Sequence, residues 1–179
     1  MKAIVCNAFG PVENLEYKEM PDPKAGKGQV VVDIKACGVN FPDGLIVQGL
    51  YQMKPEVPFI PGNEVAGVVS EVGEGVTHLK VGMRVIALCM LGGYAEKVAC
   101  AATHVLPLPD EISDDEAAGL VTAHATAHHG LKQRANIQPG ETLLVTGAAG
   151  GTGLAAVQIG KLMGAKVIAV CSTQEKLDM

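Results

Sequence analysis

The seven residues Gly147-Ala148-Ala149-Gly150-Gly151-Thr152-Gly153 carry the sharpest chemical signal in this 179-residue chain. They follow an apolar run, TLLVTG from residue 142, and precede a helix-forming stretch over about 152 to 163, which stops at Gly164 and gives way to a second apolar run, KVIAVCS. Strand, glycine-rich turn, helix and strand in that order make one βαβ unit. Glycine lets the backbone turn sharply and approach a pyrophosphate, while the helix N-terminus offers free N–H groups and the positive end of its dipole. In the GxGxxG register the motif is Ala148-x-Gly150-x-x-Gly153, so Ala148, Gly150, Gly151, Thr152 and Gly153 are the candidate phosphate contacts. A plain tight turn is the competing reading, and the complete strand–turn–helix–strand context favours a dinucleotide over it.

The choice of dinucleotide rests on the end of the second strand. About 20 residues past the glycines an Asp or Glu would hydrogen-bond an NAD ribose. This chain instead has Cys171, Ser172 and Thr173, with Lys176 close behind. No carboxylate there repels a 2′-phosphate and Lys176 supplies a point charge, so the pattern favours NADPH over NADH, with Ser172 and Lys176 as contacts. Glu175 is accounted for as the far half of a capping box begun by Ser172. Lys176 also fits an ordinary solvated helix lysine. Thr146-Gly147-x-x-x-Gly151-x-Gly153 matches the TGxxxGxG loop of short-chain dehydrogenases too, but that loop opens its domain and needs a later YxxxK, and neither condition holds.

Other reactive residue types read as structural. His124, His128 and His129 fall at i, i+4 and i+5 of a helix with no HExxH carboxylate or thiolate beside them, which points to helix packing and not to a metal. The five cysteines are an odd number without a CxxC pair, so neither a disulfide framework nor a zinc knuckle is expected, and a reducing cytoplasm fits best.

The elements that must hold these residues change character along the chain. Up to about residue 110, short β-branched runs (2–6, 29–36, 65–72, 83–89 and 94–99) alternate with Gly, Pro and Asp turns, the spacing of a compact antiparallel barrel with little helix. Ser113 with Glu116 three residues on then matches a capping box opening an Ala-rich helix that leads to the next domain. The expected division is 1–122 for a β-barrel domain and 123–179 for part of an α/β domain.

Composition bounds the remaining classes. A 48% hydrophobic and 18% charged chain buries a core and is not disordered. A net charge of −5 disfavours a nucleic-acid or anionic membrane surface as the main partner. The cations concentrate in the C-terminal part, where Lys132, Arg134, Lys161, Lys166 and Lys176 outnumber Glu141, Glu175 and Asp178 and suit an anionic ligand. Every apolar run is broken short of a membrane span and the N-terminus lacks a signal-like apolar stretch, so neither export nor an anchor is expected.

Several stretches together resemble the zinc-independent quinone oxidoreductases, the zeta-crystallin-like branch of the medium-chain dehydrogenase/reductases. They are Cys37-Gly-Val-Asn40-Phe-Pro-Asp43 running to Gly49-Leu-Tyr51, Pro61-Gly-Asn63-Glu64-Val-Ala-Gly67, Gly92-Gly-Tyr-Ala-Glu96, Thr126-Ala-His128 and the glycine loop, and they span the whole chain. The resemblance implies a mixed fold: a GroES-like β-barrel N-terminal domain followed by the first βαβ part of a Rossmann domain. Zinc-dependent relatives place Cys at Asn40, His at Asn63 and a four-cysteine lobe after about residue 90. Asparagine amides are poor zinc ligands, so the resemblance implies no metal site. Polarisation of a carbonyl then falls to hydrogen-bond donors, for which Asn40 and Tyr51 match family positions, and Thr126 matches one near the nicotinamide. Leu45 stands where a second tyrosine is often found, and Asp43 and Glu64 read as holding local structure. The implied substrates are small quinones or activated enones, and the implied full-length form is a homodimer.

A Rossmann sheet needs about six strands and two are present, so at roughly 30 residues per βαβ step well over 100 residues of the resembled fold are missing. Three readings stand: an NADPH-dependent quinone or enone reductase, an NADPH-dependent enoyl reductase, or a non-enzymatic GroES-like structural or interaction protein with a vestigial nucleotide arm.

Overall fold

Valine-rich runs separated by glycine and proline turns pair into antiparallel strands in the N-terminal part of the chain. The computed structural model describes residues 1–178 and divides the chain into two units, Met1–Gly119 and Leu120–Met179. The sequence reading placed the boundary after residue 122.

In the first unit the elements are β1 (Lys2–Val5), β2 (Glu16–Glu19), β3 (Gln29–Cys37), α1 (Phe41–Val47), β4 (Glu64–Val72), β5 (Arg84–Leu88), β6 (Lys97–Ala101), β7 (Val105–Pro107) and α2 (Asp114–Ala118). Five strands form an antiparallel sheet in the order β6-β3-β4-β5-β7, and β1 pairs with β2. Isolated bridges Ala3↔Ala95 and Cys6↔Phe59 tie the hairpin to neighbouring loops. Val30, Val32, Val65, Val69, Val85 and Val98 make the core with Leu79, Cys100 and Val105. Val31, between two core valines, is buried as well, so the middle of β3 is covered on both faces.

Two features depart from a chain of strands alone. The helix α1 occupies a stretch of the region read as β-rich with little helix. Asn40 caps it in extended conformation, Pro42 sits in the first turn, and Asp43 at the third position takes the Asn40 backbone N–H at 2.8 Å. The signal was the Asn-x-Pro-Asp cap, hidden inside a motif read for its chemistry. The strand expected over 94–99 begins at Lys97, which leaves Tyr94 in a turn whose backbone N–H donates to Pro61 O at 2.9 Å. The capping box at α2 forms as read: Glu116 N–H donates to Ser113 Oγ at 3.2 Å and Ser113 N–H to Glu116 Oε2 at 3.1 Å.

The second unit opens with π-helical Val121–Ala125, α3 (Thr126–His128) and π-helical His129–Arg134, followed by β8 (Thr142–Thr146), α4 (Gly151–Leu162), β9 (Lys166–Val170) and α5 (Gln174–Leu177). Strands β8 and β9 pair in parallel from Thr142↔Lys166 to Thr146↔Val170, as a βαβ crossover requires. One sheet face packs on α4 through Leu143 and Val167 beside Gly160. The other presents Leu144, Ile168 and Val170, which are 60%, 44% and 43% exposed. Among the described residues, no helix is long and apolar enough to cross a membrane.

Candidate functional site

The glycine loop is shaped by two backbone demands. Gly147 turns out of β8 with φ at +64°, a region that side chains resist. Gly153, in the first turn of α4, lies so close to Gly147 O that a Cβ there would collide with it. Ala148 N–H donates to Val170 O at 3.2 Å and Gly150 N–H to Gly147 O at 3.0 Å, so the loop is fastened to the end of β9. Gly150 is the N-cap of the 12-residue α4, and Gly151, Thr152 and Gly153 carry the first-turn N–H groups that helix geometry leaves free for an anion.

Beside this turn lies a cavity of about 380 Å³ lined by Gly147, Ala149, Gly150, Val170, Cys171, Ser172 and Lys176. The fold therefore brings Gly150, Ser172 and Lys176 together, and among the described residues no carboxylate lines the cavity. Ala148 is buried and lines a smaller adjoining pocket of about 130 Å³ instead. The cap of α5 is Thr173, whose Oγ1 accepts the Lys176 N–H at 3.4 Å. This corrects the capping-box assignment: Ser172 stands one residue before the cap, in the cavity wall, and Glu175 is not its box partner. Thr126 is exposed on α3 and lines neither pocket. The ring nitrogens of His124 lie 3.1 Å from Leu120 O and 3.0 Å from the Gln158 amide oxygen, and His129 Nδ1 lies 2.6 Å from that of Gln133. Both rings thus stay within the helices.

The N-terminal unit holds a second cavity, of about 460 Å³, between α1, the turn around Val12 and Tyr94. Its polar residues are Asn40, Asp43, Gln48 and Tyr94, and its apolar wall comes from Val12, Leu15, Val39, Phe41, Leu45 and Val47. Asp43 is 3% exposed and its Oδ2 accepts both the Asn40 backbone N–H and, at 3.0 Å, the Tyr94 hydroxyl. Burial raises the Asp43 pKa, and these two donors oppose the rise. Burial, followed by the nearby Asp43 carboxylate, pushes the Tyr94 hydroxyl well above its ordinary value. The Cys37 thiol is pushed up to about 12, chiefly by burial and further by Asp43 and Glu64. Asn40 Nδ2 donates to Asn63 Oδ1 at 3.0 Å, joining the two asparagines through their side chains. A carboxamide nitrogen carries two hydrogens, so this bond leaves Asn40 one N–H for a ligand carbonyl.

Tyr51 is absent from this lining. Its ring is half-buried against Cys6, Ile46, Val47 and Phe59. The tyrosine that reaches the cavity is Tyr94, which sequence reading noted only as part of Gly-Gly-Tyr-Ala-Glu. Among the described residues, no three His, Cys, Asp or Glu side chains gather in a way that could hold a metal ion.

Residues 26–110 match the model of the alcohol dehydrogenase GroES-like domain. The chain is 44% identical over 178 residues to the quinone oxidoreductase-like protein 2 homolog of Nematostella vectensis, covering 98% of this chain and 48% of that protein. The Escherichia coli quinone oxidoreductase complexed with NADPH superposes with a TM-score of 0.95 at 36% identity, covering 99% of this chain and 55% of that one. The quinone oxidoreductase of Thermus thermophilus, also solved in complex with NADPH, gives 0.87 at 42% identity, covering 98% and 55%. The chain spans about half the length of the relatives it matches. Likeness of this degree in sequence and in backbone, carried over nearly all of the chain and about half of each relative, supports the quinone-oxidoreductase branch of the medium-chain dehydrogenase/reductase superfamily.

Proposed function

We propose that this chain supplies the GroES-like domain and the first nucleotide-binding βαβ unit of an NADPH-dependent oxidoreductase that reduces quinones or activated enones without zinc. The observation that carries this reading is the cavity at the start of α4, where a glycine floor, Ser172 and Lys176 converge and, among the described residues, no carboxylate intervenes. When bound, NADPH supplies a hydride from its nicotinamide ring. The first-turn N–H groups of Gly151, Thr152 and Gly153 would hold the pyrophosphate, and Lys176 and Ser172 would hold the 2′-phosphate. In the other unit, Asn40 donates its second amide N–H to the acceptor carbonyl and draws electron density toward the oxygen. Asp43 holds the Asn40 backbone in place for that task. Zinc independence is supported by the Asn40–Asn63 bond, since carboxamides compete poorly with thiolate and imidazole for Zn²⁺. Quinones and activated enones accept hydride without a Lewis acid.

The test is calorimetric titration of the chain with 2′,5′-ADP and with ADP. The 2′-phosphorylated ligand should bind more tightly, and Lys176→Ala should reduce the preference by about fivefold, corresponding to ~1 kcal/mol for a charge-assisted contact at an exposed site. Equal affinity for the two ligands, or a variant that keeps the full preference, overturns the assignment of the 2′-phosphate site. The reaction itself is tested by oxidation of NADPH in the presence of a quinone.

A further inference from the structure

The cavity beside α1 has few polar groups, and they are spaced along a mostly apolar wall. Asn40 lines it at the start of the helix and Gln48 at its end, where the Gln48 amide already donates to Gly44 O at 2.9 Å, and Val12, Leu15, Val39, Phe41, Leu45 and Val47 make its apolar wall. Its one carboxylate, Asp43, is 3% exposed and already engaged with the Asn40 N–H and the Tyr94 hydroxyl, so the wall offers no free charge to an ionic ligand. Phe41, Leu45 and Gln48 fall at i, i+4 and i+7 of the helix, which lines them up on one side over about 10 Å. The apolar wall continues outward to residues that ordinary folding would bury: Val39 is 85% exposed, Phe41 81% and Val12 45%. A volume of about 460 Å³ falls within the ~300–1,000 Å³ of pockets that enclose drug-sized ligands, leaving space beyond a bare quinone ring.

We infer that the acceptor is a lipophilic quinone, its carbonyl on Asn40 and an alkyl or prenyl substituent lying along Phe41, Leu45, Val39 and Val12. This rests on the quinone-reductase reading above and adds the substrate class. Exposed apolar side chains at a cavity mouth gain from covering by a hydrocarbon chain, because each methylene removed from water contributes to binding.

The experiment titrates the chain calorimetrically with ubiquinone-0, which is the headgroup alone, with decylubiquinone, and with 1-decanol as a tail without a headgroup. Decylubiquinone should bind about tenfold or more tightly than ubiquinone-0, and 1-decanol should bind more weakly than decylubiquinone. Phe41→Ser should narrow the affinity gap between decylubiquinone and ubiquinone-0 by about fivefold. Because Phe41 and Val39 are largely exposed, Phe41→Ser and the second variant Val39→Ser leave the core filled, and circular dichroism confirms the fold of each. Equal affinity for the two quinones, or a decylubiquinone affinity unchanged in both variants, overturns the tail assignment and leaves the quinone reading standing. Binding of 1-decanol as tight as that of decylubiquinone reduces the site to an apolar patch and also overturns the inference. Failure of both quinones to bind the folded chain removes the quinone reading itself.

Discussion

Removing the Asp43 carboxylate should release the start of α1. Asp43 is buried, and one of its oxygens accepts from the Asn40 backbone N–H at 2.8 Å and from the Tyr94 hydroxyl at 3.0 Å. Hydrogen bonds to a charged group contribute about 1.5–3 kcal/mol each. Part of that is offset by the cost of burying the charge, the same cost that raises the Asp43 pKa. Asp43→Ala should therefore lose about 3 kcal/mol of local stability, which speeds backbone exchange across α1 roughly a hundredfold. Asp43→Asn retains an oxygen acceptor for both donors and carries no charge, so its loss should stay under about 1 kcal/mol at neutral pH. The pH dependence has a definite sign. A carboxyl with a raised folded-state pKa binds its proton more tightly in the folded state, so its contribution is fully present below the unfolded pKa and declines as pH climbs through the raised value. Wild type should gain on Asp43→Asn as pH falls through that window. Peptide-resolved hydrogen exchange over residues 37–50 reads the N-terminal unit directly, and urea midpoints at pH 4.5 and 7.5 read the linkage. Exchange in the alanine variant equal to wild type, or an asparagine variant as damaged as the alanine one, would refute this account of the site.

Gly153→Ala places a methyl against Gly147 O and should cost about 1–3 kcal/mol in spite of alanine's better helix propensity, with loss of 2′,5′-ADP binding by calorimetry. The exposed face of Leu144, Ile168 and Val170 should bind ANS and self-associate in sedimentation velocity, and Leu144→Thr with Ile168→Thr should suppress both. Elemental analysis of protein prepared without chelator should find no stoichiometric zinc, and one zinc per chain would contradict the ligand argument at Asn40 and Asn63.

What the sequence determined by itself lies close together along the chain. The βαβ unit was readable because β8, the glycine loop, α4 and β9 follow one another within about 30 residues, and each leaves its own periodicity or turn signal. The Ser113–Glu116 capping box was readable because its two halves sit three residues apart, within one helical turn. Local patterns failed where two neighbours satisfy the same rule: Ser172 and Thr173 both suit a helix cap, and in the fold it is Thr173, in extended backbone, whose hydroxyl takes the Lys176 N–H. Beyond that range only the tertiary structure decided. Tyr94 meets Asp43 across 51 positions and Asn40 meets Asn63 across 23, separations at which side-chain type carries no address. Tyr51 turned to the Phe59 cluster while Tyr94 reached the cavity, because the tie of the Tyr94 turn to Pro61 places that ring beside α1. A side chain's partners across a sheet follow from strand register and loop ties, which are settled by packing of the whole core and by no single stretch within it.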